Sequence, residues 1–180
     1  MQNSNFPLSA SHFRYSTQIF PNYRFIPGQT PHPRRHPQGH SFRVQEPRPP
    51  AFEEDGWSAS TDYLYAIDLY NFGYWWESHE VFEGLWHACR HNPNAGNFFQ
   101  ALIQLAAANL KHLLGRELAV KNLTLRGIER LQKAPPRYMG LDTLRLADDF
   151  RLWLKSPDDS HVVFRLDLPQ KRTIYCETGC

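Results

Sequence analysis

Beyond Pro50, apolar residues recur at three- and four-residue intervals, and the recurrence predicts five helices. Ser58 or Ser60 is placed to cap the first, whose Tyr63, Leu64, Ile67 and Tyr70 share a face and which Gly73 stops. A second begins near Tyr74 and runs to about Cys89. HNPNAGN, from His91 to Asn97, reads as a loop by composition. The third, from about Asn97 to Leu114, is apolar on nearly every side, which marks the central helix of a bundle; Gly115 ends it. The fourth, from about Glu117 to Lys133, carries Leu118, Val120, Leu123, Leu125, Ile128 and Leu131 and is closed by Pro135-Pro136. Asp142 or Thr143 caps a fifth that reaches about Lys155. The pattern predicts an all-α protein, a compact bundle of about five helices over residues 51–156.

On either side the period is lost. Residues 1–50 hold nine of the fourteen prolines and four of the nine histidines, so a proline-rich extended N-terminal arm is expected. Within it, PNYRFIPGQTPHPRRHPQGHSF mixes aromatic residues, glycines and histidines in a way suited to wrapping a surface, although a flexible leader has the same composition. The tail, residues 157–180, offers one short extended stretch.

Charge divides along the same line. The net +2 conceals six arginines against the single acid Glu46 in the arm, which leaves the remainder net acidic. Nucleic-acid binding through Arg34, Arg35, Arg43 and Arg48 is therefore the least favoured reading. The odd set Cys89, Cys176 and Cys180 matches no zinc pattern and suggests a reducing compartment. No apolar run approaches the roughly 18 residues of a membrane span, so a cytoplasmic protein without membrane contact is expected.

The second helix, read as YWWESHEVFEGLW, poses the chemical question. On a wheel of 100° per residue, Trp75, Glu83 and Trp86 fall within about 40° of His79, with Phe82 and Trp76 just beyond. His79 and Glu83 are thus expected inside an apolar face, one turn apart, while Glu77 points to solvent. A carboxylate in such a face needs a partner. One reading makes the pair architectural, bonded to Asp68, Asn71, Gln100, Gln104 or Asn109 on neighbouring helices. The other makes it two ligands of a metal. The likeness of H-E-V-F-E to the zinc-protease motif, with Glu80 as general base, is weak, and the glutamates of a di-iron bundle are missing.

YAIDLYNFGYWWESHEVFEGLW followed by FFQALIQLAAANLKH resembles the bacterial and archaeal family known as domain of unknown function 309 over roughly Tyr63 to Lys133. That family's histidine, glutamate and aromatic motif falls on His79, Glu83 and Trp86, Ser78 supplies the small residue before it, and the PGQTPHPRRHPQGHS segment looks like the extension of longer members. The resemblance implies a small all-α domain that binds metal through His79 and Glu83; it implies no reaction.

The metal expected is zinc, iron or manganese, which suit mixed imidazole and carboxylate ligands. His79 and Glu83 lead the ligand set. His32 and His40, delivered by a wrapping arm, and His112 are further candidates, Trp75, Phe82 and Trp86 wall the pocket, and Glu80 is the candidate acid or base. The alternative is a non-catalytic interaction module, including a homo-oligomer, in which the pair sets packing and the aromatic face receives a partner helix.

Overall fold

The computed structural model describes residues 13–45, 48–157 and 160–168. A short 3-10 helix, Glu54–Ala59, leads into α1 (Thr61–Asn71), α2 (Trp75–Cys89), α3 (Pro93–Leu113), α4 (Glu117–Leu131) and α5 (Thr143–Lys155). Ser60 caps α1 by accepting from the Tyr63 amide, and Gly73, at φ 78°, turns the chain into α2. α3 is the central helix, packed between α2 and α4, with Phe98, Phe99, Leu102 and Leu105 fully buried. Among the described residues no helix is long and apolar enough to cross a membrane.

Two readings from the pattern are corrected, and one element is added to it. The segment read as a loop starts α3: the Asn92 carboxamide accepts from the Asn94 and Ala95 amides, and Pro93 takes the first position, where a missing amide hydrogen costs nothing. On α4, Leu118 and Leu125 are exposed, and the buried stripe is Val120, Thr124, Gly127, Ile128 and Leu131. Gly127 belongs there because a side chain would press on Leu105 of α3. Between α4 and α5 lies a two-residue antiparallel hairpin, Arg137–Tyr138 (β1) with Leu141–Asp142 (β2), whose turn places Met139 and Gly140 at positive φ.

The arm and the tail both join this core. Residues 13–45 lie along α1 and α2. Asp68, fully buried, accepts from the Tyr15 and Ser16 amides at 2.8 Å and from Ser16 Oγ at 2.7 Å, with Arg14 at 3.5 Å. Tyr65 and Tyr74 donate to the Ile19 and Pro21 carbonyls. At the other end Phe164 stacks on Tyr70, centroids 3.7 Å apart, and Phe164 and Asn71 exchange two hydrogen bonds of 2.8 Å. Cys89 is buried and unpaired with any other described cysteine; Cys176 and Cys180 lie outside the described residues.

Candidate metal centre

The face of α2 that meets the bundle is Trp75, Ser78, Phe82, Leu85 and Cys89, a three-and-four spacing. It is rotated from the predicted one because Trp76 is taken up by the arm and Trp86 is only partly buried against the core. Trp76 lies against the rings of Phe25, His32 and His40 from the arm, and Trp86 lies under the Arg90 guanidinium at 4.9 Å. Ser78 is small because its hydroxyl donates to the Ala66 carbonyl where α1 and α2 meet. His79 and Glu83 therefore stand at the edge of the helix, with side chains 30% and 47% exposed, and not inside the apolar face.

The buried carboxylate of α2 is Glu77, which the wheel pointed to solvent. It is 5% exposed and accepts from the Phe25 amide at 2.8 Å, with His40 Nε2 at 3.0 Å from the same oxygen. Burial here comes from the arm, whose docking a wheel of one helix does not contain.

Along the edge of α2, His79, Glu80 and Glu83 offer three ligand atoms within 4.8 Å of one another. His79 Nδ1 is 3.6 Å from Glu80 Oε1 and 4.0 Å from Glu83 Oε2, both too long for hydrogen bonds. This nitrogen is shielded from solvent and has no hydrogen-bond partner among the described residues. Glu80 Oε2 is held by Arg34 Nε of the arm at 3.2 Å. Beside the cluster a groove of about 510 Å³ runs between arm and helix, with Glu80, Glu83, Gly84, His87 and Ala88 from α2 and Arg34, Arg48 and Pro49 from the arm side. A larger groove at the β1–β2 hairpin, about 760 Å³, contains none of these groups.

The other expected residues are elsewhere. His40 serves Glu77, His32 packs on Phe25 and Trp76, and His112 packs edge-on to Trp153, so none joins the cluster. Phe82 is fully buried in the core, Trp75 meets His161 of the tail, and neither they nor Trp86 line the groove. Asp68, Asn71 and Asn109 direct their hydrogen bonds to the arm, to Phe164 and to Tyr70, and neither Gln100 nor Gln104 bonds His79 or Glu83. The reading of one helix missed Arg34 and Arg48, which matter only once the arm is folded back. The signal available was their place in a segment too rich in aromatic residues to be a plain linker.

Burial by itself would push the Glu80 carboxyl up, but His79 and Arg34 more than offset it and hold the group below its ordinary value of 4.5. A carboxyl lowered by folding contributes stability that is complete above its unfolded-state value and lost as pH falls through the folded-state value. In metal-free protein, Glu80→Gln is expected to flatten the acid limb of stability measured by urea denaturation between about pH 3 and 6. A limb parallel to that of the unsubstituted protein would contradict this account.

The fold and the cluster define a class: a small helical bundle carrying a histidine and two carboxylates on one edge of its second helix. Residues 63–123, about a third of the chain, match the family described as domain of unknown function (DUF309). The matched stretch spans α1 to α3 and the first turns of α4, and so includes His79, Glu83 and Trp86. No curated protein matches the chain.

Proposed function

We propose that the domain binds one divalent metal ion, zinc, iron or manganese, through His79, Glu80 and Glu83. The observation that carries this reading is His79 Nδ1, a shielded nitrogen that faces two carboxylate oxygens yet bonds neither. Ligands about 2.0–2.2 Å from a metal stand roughly 3.4 Å apart in a tetrahedral site, against 3.6 and 4.0 Å from His79 Nδ1 to the two carboxylates and no more than 4.8 Å within the cluster. The architectural carboxylates of this protein look different: both oxygens of Asp68 and one of Glu77 have partners at 2.7–3.0 Å. Glu80, whose second oxygen is held by Arg34, suits the role of an oriented ligand better than that of a free general base. A metal held here would supply a Lewis acid and an acidified water.

The test is elemental analysis of protein purified without chelator, beside His79→Ala and Glu83→Ala. Near-stoichiometric metal is expected in the parent and is expected to be lost in both variants. Because the cluster lies outside the core, both variants should keep the circular dichroism of the parent. A parent that takes up no zinc, iron or manganese on reconstitution would sink the reading and leave a helical interaction module, in which the cluster only tunes packing.

A further inference from the structure

We infer that the groove beside the cluster is a subsite for the phosphate group of a small ligand, with Arg48 as its second anchor; this rests on the metal reading above. Two arginines of the arm face the two carboxylates of α2 across the groove. Their states differ. Arg34 holds Glu80, whereas Arg48 is exposed and makes no ion pair among the described residues. The floor of the groove is built from Gly84 and Ala88, one turn apart, which leave space next to the ligand atoms where longer side chains would fill it.

The charge balance sets the ligand class. Without metal, Glu80 and Glu83 cancel Arg34 and Arg48, so these four groups offer an anion no net attraction; His87 is the remaining titratable group of the lining. A divalent ion cancels the two carboxylates instead and leaves the site two charges positive, which matches a phosphate dianion and exceeds what a carboxylate neutralises. A guanidinium presents a fork of donors to such an oxyanion, while the metal takes an oxygen in a position the protein leaves open. Phosphate binding is therefore metal-dependent, and Arg48 contributes to the phosphate without contributing to the metal.

The probe is inorganic phosphate, titrated calorimetrically into manganese-loaded protein whose metal content has been measured beforehand, with phosphorus relaxation by the bound manganese as a second readout. Saturable one-to-one binding is expected. Arg48→Gln, a surface change, should keep the metal and weaken phosphate about tenfold or more; metal-free protein should bind at least as poorly, and acetate should bind more weakly than phosphate. Metal uptake without phosphate binding, or phosphate affinity indifferent to Arg48→Gln or to metal removal, overturns the subsite and leaves the metal centre standing. So does acetate binding as tightly as phosphate. A protein that takes up no metal overturns both.

Discussion

Replacing Phe164 by alanine is expected to lower the free energy of unfolding by about 3–5 kcal/mol, although no helix contains this residue. Its ring is fully buried and lies within 3° of parallel to that of Tyr70. The cost depends on whether the cavity can collapse, and here both walls are pinned. Tyr70 is held by Asn109, which donates to its hydroxyl at 2.7 Å, and the Phe164 backbone is tied at its amide and its carbonyl to Asn71. Urea denaturation should show a lowered midpoint with an unchanged slope. A loss below about 1 kcal/mol would mean that the segment around Phe164 contributes little to the core, contrary to its packing here.

The second large effect concerns the arm. Asp68 and Glu77 are two buried carboxylates of the bundle whose donors include arm backbone amides, from Tyr15 and Ser16 to one and from Phe25 to the other. Asp68→Ala combined with Glu77→Ala is expected to release the arm. An amide left without its acceptor typically costs about 1–3 kcal/mol when it stays buried. An arm has an escape that a helix lacks: its freed amides can return to water by peeling away, so the loss is capped at the docking free energy. The readout is trypsin cleavage at Arg24, Arg34 and Arg35, which should accelerate at least about tenfold relative to the parent, with the helical circular dichroism retained. Unchanged cleavage would mean that the arm is held by its apolar contacts alone, chiefly Phe25 and Ile26 and the rings around Trp76.

What could be read from the chain and what could not divides by the range of the interactions. The helices were legible because caps and stops are local: Ser60, Gly73, Gly115 and Asp142 each act within a few residues of where they stand. The same locality explains the error at Asn92, where turn-forming residues were weighed by composition although Asn followed by Pro is also a helix start. The candidate site was half legible. His79, Glu80 and Glu83 come together by helical periodicity alone. Their surroundings do not, because Trp76 is apolar by composition yet packs on the arm, and Trp86 is only partly buried against the core. Glu77 was placed wrongly for the complementary reason: its donors, Phe25 and His40, stand 52 and 37 residues earlier in the chain.

Near the start of the described chain, the Tyr15 hydroxyl accepts a hydrogen bond from the amide of Leu166, 151 residues away. During synthesis the arm emerges before any surface it can occupy, and the residues that meet Tyr15 and cover Tyr70 follow it by roughly 150 residues. The helices can form as they appear, yet closing these distant contacts must wait until the chain has reached Leu166. Folding should therefore proceed at the pace of long-range closure, slower than the mostly helical content suggests. A nascent chain halted short of Val162 would still expose the aromatic faces of α1 and α2, a ready surface for chaperones.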